Sequence, residues 1–83
     1  MKPSLQIPQI VRFHRKKATL TQAELARLSG VGKTVVFDLE KGKVSIQLDS
    51  LLKVLHVLNI SLNLDSPLME EFNSSRKQDD EKS

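Results

Sequence analysis

The 83-residue sequence predicts an all-α fold of four to five short helices, closed by one short C-terminal strand that pairs across a dimer. Three observations predict it. Apolar residues recur at spacings of three and four through most of the chain. A capping box and three glycines punctuate that pattern at helix-length intervals. Only Ile60 to Leu64 alternates with period two.

The first helix begins at Pro8, which suits a first turn because its missing N–H costs nothing there. Ile7, Ile10, Val11, His14 and Ala18 form its apolar stripe to about Lys17. Phe13 falls off that stripe and is either half exposed on the surface or in contact with a partner. Thr21 opens the second helix, because Thr21 and Glu24 have the capping-box spacing that satisfies two orphan N–H groups reciprocally. Leu25, Ala26 and Leu28 form its inner face and Gly30 ends it in the left-handed conformation. Gly32 caps a third helix from Lys33 to about Lys41, with Val36, Leu39 and Val35 inward and Gly42 as its stop.

A loop from Lys43 to Gln47 leads into the most apolar stretch, Leu48 to Leu58, which ends at Asn59. Its apolar positions cover more than the arc of about 100° that one core face needs. A small domain cannot bury them all, so Leu51, Leu55 and Leu58 are expected at a dimer interface. Ile60, Leu62 and Leu64 then read as a strand whose unpaired backbone pairs with the same strand of a second copy. Residues 1–64 form one domain by this reading, and 65–83 an acidic tail. Leu68, Met69 and Phe72 make one helical turn against the body or a partner, or the tail merely aids solubility. The last ten residues are expected to be disordered, since they hold nothing to bury.

Composition excludes several classes of function. Three Phe with no Trp or Tyr leave too few platforms for stacking on single-stranded nucleic acid. With no Cys and only two distant histidines, His14 and His56, there is neither a disulfide framework nor a metal-ligand set, and no cofactor is implied. Neither histidine has a nucleophile or carboxylate nearby in sequence, so neither reads as an acid–base catalyst. No apolar run approaches the roughly 20 residues of a membrane span, and the N-terminus lacks a secretory pattern, so a cytoplasmic location is expected. Gly30-Val31-Gly32-Lys33-Thr34 imitates the end of a phosphate-binding loop. However, Arg27 stands where that motif needs another glycine, and a helix precedes it instead of a buried strand. An enzyme is not expected.

Charge is unevenly spread. Residues 1–64 carry 10 Lys or Arg against 4 Asp or Glu, a net of +6, while residues 65–83 carry 3 against 6, a net of −3. Lys2, Arg12, Arg15, Lys16 and Lys17 all precede the first acidic residue, Glu24. A face of this kind meets a polyanion. Between helices two and three, Ala26, Gly30 and Val36 have the spacing of a helix-turn-helix: a small residue at the crossing, a glycine in the turn and a branched side chain to lock the second helix.

The stretches Leu20 to Ala26, Gly30-Val31 and Glu40-Lys41-Gly42 resemble the Xre or phage-repressor family of helix-turn-helix proteins, whose fold is lambda-repressor-like. The short length, the leucine-rich fourth helix running into a strand and the polar tail resemble one branch, the HipB-like antitoxins and Y4mF-type regulators. The resemblance covers residues 7–64. It implies that Gln22 contacts a DNA phosphate at the start of the second helix. It also implies that Gly32, Lys33 and Thr34 enter the major groove, with Phe37 and Asp38 on the same side one turn later. Lys33 can donate to guanine and Thr34 can meet thymine, while Asp38 either accepts from cytosine N4 or orients Lys33. Arg12, Lys16 and Lys43 would hold phosphates. Arg15 and Glu40 match a pair that joins the first helix to the end of the third.

These features lead to a dimeric, sequence-specific repressor acting on an inverted-repeat operator. The branch implies the antitoxin of a HipBA-type module, with a HipA-like serine/threonine kinase toxin as partner. The alternatives are an adaptor for such a kinase with weak or no DNA binding, or a stand-alone phage-type repressor.

Overall fold

The computed structural model describes residues 6–43 and 45–82, with side chains described to residue 76. Lys2, part of the cationic N-terminal stretch, lies outside the described residues. Five helices follow in order: α1 (Ile7–Lys17), α2 (Gln22–Ser29), α3 (Lys33–Lys41), α4 (Leu48–Val57) and α5 (Met69–Lys82). α1 packs on α3, α2 on α3 and α4, and α3 on α4. The shared core is Val11, Leu25, Ala26, Val36, Leu39, Val54, Leu55 and Leu58.

The first four helices end in the same way. In each, one residue with positive φ donates its N–H three residues back, and the next residue donates five back. The pairs are Thr19 to Lys16 with Leu20 to Arg15, Gly30 to Arg27 with Val31 to Ala26, Gly42 to Leu39 with Lys43 to Asp38, and Asn59 to His56 with Ile60 to Leu55. This is the Schellman closure, which satisfies carbonyls that a helix end otherwise leaves bare. In three of the four cases the residue after the positive φ is apolar, and Leu20, Val31 and Ile60 pack against the core. These three closures therefore turn the chain and return it to the interior in two residues. At the opposite end of α2, the Glu24 N–H donates to Thr21 Oγ1 at 3.0 Å and the Thr21 N–H donates to Glu24 Oε1 at 2.7 Å, completing the expected capping box.

Several expectations change. Leu28 is exposed and Ser29 is buried in its place, because at about 100° per residue Ser29 falls between Leu25 and Ala26 on the helix circumference and Leu28 falls outside them. On α1 the buried residues are Val11 and Arg15, while Ile10 and Ala18 are exposed. The arginine occupies the interior because it has an acidic partner there. Leu55 and Leu58, expected at a dimer interface, are 3% and 9% exposed within the single chain and belong to its own core. Leu51 and Ile60 are half-buried against that core, whereas Leu48, Leu52, Leu62 and Leu64 are the exposed apolar side chains of this region.

No strand is formed among the described residues. Residues 60–66 are neither helix nor ladder, and a lone segment in a helical chain has no backbone to pair with. The tail, expected to hold one turn followed by disorder, is instead the helix α5. Met69–Lys82 contains no Gly or Pro, and Glu70 and Glu71 sit in its first turn where the helix dipole favours them. Apart from Met69, its described side chains are exposed.

Thr19 holds φ +58° at the end of α1, a conformation costly for a β-branched residue. Thr19→Gly should stabilise the fold by about 1 kcal/mol, raising the midpoint of thermal unfolding by about 4–8 °C for a domain of this size. A midpoint that is unchanged or lower contradicts a strained closure.

Candidate nucleic-acid interface

Glu40, in the last turn of α3, is the joint of the surface that α3 presents. Arg15 Nε donates to its Oε2 at 2.6 Å and Arg15 Nη2 to its Oε1 at 3.0 Å, the bidentate fork expected of this pair. Arg15 Nη1 donates to the Leu20 carbonyl at 2.8 Å, so the same guanidinium ties the α1–α2 connection to the pair. Gln22 Nε2 also donates to Glu40 Oε1, at 3.0 Å. One carboxylate thus connects α1, the first residue of α2 and the end of α3. The Arg15 and Glu40 side chains are only 11% and 5% exposed.

Electrostatics agree with the geometry. Burial pushes the Glu40 carboxyl up, but the hydrogen bonds from Arg15 and Gln22, with the charges of Arg15 and Arg12, overcome it and hold Glu40 below its ordinary value. The hydrogen bond to Glu40 raises the Arg15 guanidinium above its ordinary value, against the opposing effect of burial.

Above this joint lies a cleft of about 180 Å³ lined by Arg12, Arg15, Gln22, Phe37, Glu40 and Lys41. Arg15 and Glu40 neutralise each other, which leaves Arg12 and Lys41 as the cleft's uncompensated charges. Lys41 Nζ stands 5.0 Å from the centre of the Phe37 ring, a cation–π contact that holds both side chains on the outer face of α3. Sequence reasoning missed Lys41. The Phe37–Lys41 spacing of four on one helix was the signal that could have found it.

The cleft brings together Arg12, Gln22 and Phe37 of the expected contact residues. Lys33, Thr34 and Phe37 are exposed on α3, and Gly32 is its N-cap. Arg12 and Lys16 are exposed on α1. Asp38 is half-buried, with Oδ2 3.5 Å from Lys43 Nζ, so its cationic partner is Lys43 and not Lys33. That pair is open to solvent, which keeps its energetic contribution small and Lys43 free to exchange partners. Gln22 has a structural duty beyond the phosphate contact implied by resemblance. One of its amide N–H groups is committed to Glu40 and the other remains for a ligand. His14 donates from Nδ1 to the Ile10 carbonyl at 2.7 Å, a packing role on α1. Among the described residues no group of three His, Asp or Glu is placed to hold a metal. No described helix is long and apolar enough to cross a membrane.

Because its folded-state pKa is depressed, Glu40 contributes stability that is present at neutral pH and is lost as the pH falls from its ordinary value of 4.5 through the folded one. Glu40→Gln leaves the Arg15 charge buried without a counter-charge and should cost about 3 kcal/mol at neutral pH. The gap between variant and native chain should then narrow as the pH falls below the ordinary value of 4.5 and the native carboxylate is protonated. Denaturant unfolding across that range reads both effects, and a gap independent of pH contradicts the role assigned to the ion pair.

Comparison with known proteins agrees with this geometry. A family model described as helix-turn-helix, HTH_3, matches residues 11–64. An uncharacterized HTH-type transcriptional regulator, y4mF, from Sinorhizobium fredii is 39% identical over 67 residues, covering 81% of this chain and 88% of that protein. Among solved structures, a chain of a HipA-HipB-O2-O3 complex superposes with a TM-score of 0.68 over 81% of this chain and 94% of its own, at 22% identity. A structure described as MDT protein gives the same values. At that identity the two structures establish the fold, while the family match and the relative establish the kinship. The chain belongs to the helix-turn-helix family of non-enzymatic, DNA-binding transcriptional regulators.

Proposed function

We propose that the chain is a dimeric repressor that reads a specific duplex site with α3. The observation that carries this reading is the outer face of α3. It offers exposed Lys33 and Thr34 near its N-terminus and Phe37 one turn on, and Arg12, Lys16 and Lys41 add cations to the same surface. The Glu40 joint fixes the angle of that face. In the major groove, Lys33 donates to guanine O6 and N7. Thr34 offers a hydroxyl and a methyl, Phe37 meets a thymine methyl, and Asp38 accepts from cytosine N4. Arg12, Lys16, Lys43, the free N–H of Gln22 and the Gly32 backbone hold phosphates.

The second copy covers the apolar surface that one chain leaves bare. Leu48 and Leu52 of α4, with Leu62 and Leu64 beyond it, are exposed large apolar residues close together in sequence, and residues 61–64 bring backbone outside any helix or ladder to the same region. A twofold pairing there sets two recognition helices about 34 Å apart and requires an inverted-repeat operator. The partner of the dimer is a HipA-like serine/threonine kinase, which makes the chain the antitoxin of a toxin–antitoxin module in the cytoplasm. Support for this comes from the likeness to a chain solved in a HipA-HipB complex. An adaptor that holds the kinase without reading DNA is the competing reading, favoured by the exposed Leu28, Leu68 and Phe72.

Lys33→Ala should cost about 1–3 kcal/mol on the preferred duplex and relax preference at one base position. Arg12→Ala or Lys16→Ala should instead weaken binding to all duplexes alike and lower the salt slope by about one. Titrations of selected and random duplexes at several salt concentrations decide this. Equal losses for Lys33→Ala on both duplexes contradict base reading, and no preferred site at any salt favours the adaptor.

Leu62→Lys should shift sedimentation towards the monomer and weaken operator binding, since a charge on the covered face loses its solvation. A variant that stays dimeric with full operator affinity removes residues 60–64 from the interface.

A further inference from the structure

The outer side of α1 and the start of α5 are both apolar surfaces without cover, and they carry opposite charge. At about 100° per residue, Arg12, Lys16, Gln9, Phe13, Lys17 and Ile10 succeed one another around the side of α1 opposite Val11 and Arg15. All six are exposed. Phe13 is 59% exposed. Lys17 Nζ lies 5.5 Å from the centre of its ring, and the His14 ring meets it edge-on at 5.6 Å. This is an apolar patch, Ile10 with Phe13, framed by three cations that make no ion pair among the described residues.

The start of α5 is its complement. Leu68 and Phe72 lie four residues apart, on one side of the first turn, and both are exposed. Of the two carboxylates between them in sequence, Glu71 flanks that side at about 100° per residue and Glu70 falls opposite it. The whole of residues 65–83 carries −3 against +6 for residues 1–64. Within one chain these surfaces do not cover each other, since Ile10, Phe13, Leu68 and Phe72 are all left in solvent. The occupant of the α1 patch is therefore sought on a second copy, to which each chain offers both halves of the contact.

We infer that the first turn of α5 docks on the outer face of α1 of a second copy, with Leu68 and Phe72 against Ile10 and Phe13 and with Glu71, which flanks that side of the turn, among Arg12, Lys16 and Lys17. The tail and a nucleic-acid backbone then compete for the same cations. Tail docking lowers affinity for any duplex and so suppresses non-specific binding, while a preferred site, with its added base contacts, displaces the tail. Because the contact is small and partly ionic, it weakens with salt. The competition rests on the DNA-binding reading given above, whereas the docking itself does not.

The native chain has no cysteine, so Ser75→Cys gives full-length protein a single position for a spin label. The labelled copy is mixed with isotope-labelled native chain, and the amide signals of the latter are recorded. Docking predicts broadening at Phe13, Lys16 and Lys17, reduced at least about threefold when ionic strength rises from about 0.05 to about 0.5 M. Adding Phe72→Ser to the labelled copy should reduce it similarly. Broadening absent from α1, or indifferent to Phe72→Ser, overturns the docking. In a second arm, Phe72→Ser alone leaves the net charge unchanged and should tighten binding to a random duplex by about three- to tenfold at low salt. Unchanged affinity, with α1 broadening intact in the first arm, overturns the competition. A chain that binds no duplex at all defeats the DNA-binding reading, and the first arm still decides the docking.

Discussion

The carboxylate of Glu40 is the constraint on which the presented surface depends. It accepts from Nε and Nη2 of Arg15 and from Nε2 of Gln22, and so closes a triangle between α1, the start of α2 and the end of α3. Apolar contacts hold these helices together but tolerate small rotations, because the hydrophobic effect has no direction. A bidentate ion pair does not, since a rotated α3 would strand a charge in a mostly buried site. An apolar trio of similar volume could match the ion pair in stability. What the ion pair adds is a single angle for α3, and hence a single arrangement of Lys33, Thr34 and Phe37 towards a partner.

The second device is the repeated helix ending. Thr19, Gly30, Gly42 and Asn59 each turn the chain with positive φ, and Leu20, Val31 and Ile60 return it to the core one residue later. Helices of eight to eleven residues are marginal alone. Closing each one satisfies its last carbonyls, and in three of the four it at once covers an apolar side chain, so the end of a helix also contributes to packing. The α2–α3 turn is the tightest use of this device. Val31 both closes α2 and packs inward, which leaves Gly32 to cap α3 with its side facing out.

Much of this was legible in the sequence. Thr21 and Glu24 announce the capping box, Gly30, Gly42 and Asn59 mark three of the four endings, and the Arg15–Glu40 pair follows from the family resemblance. The less legible features share one cause: they depend on partners distant in sequence. Leu28 matched an apolar spacing, yet the position of α3 and α4 decides which arc of α2 is covered, and Ser29 takes the place inside. Arg15 sits on the buried arc of α1 only because Glu40 lies across from it, 25 residues on. Leu55 and Leu58 looked like surplus apolar surface until α4 was packed, when the surplus proved to be Leu48 and Leu52. A strand at 60–64 cannot form in one chain at all, because its ladder needs a second backbone. Thr19 gave no signal, since nothing in its chemistry favours positive φ.

The central claim is that the ion pair acts through the angle of α3 and not merely through stability. It is tested by a double-mutant cycle on Arg15→Met and Glu40→Gln, with binding to a selected and a random duplex measured well below the unfolding temperature of the least stable variant. The claim predicts that each single variant and the double variant lose the same share of the ratio between the two affinities, because removing either group frees α3 completely. Variants that fold and keep the full ratio of selected to random binding contradict it, and leave Arg15 and Glu40 as a stabilising pair with no part in recognition.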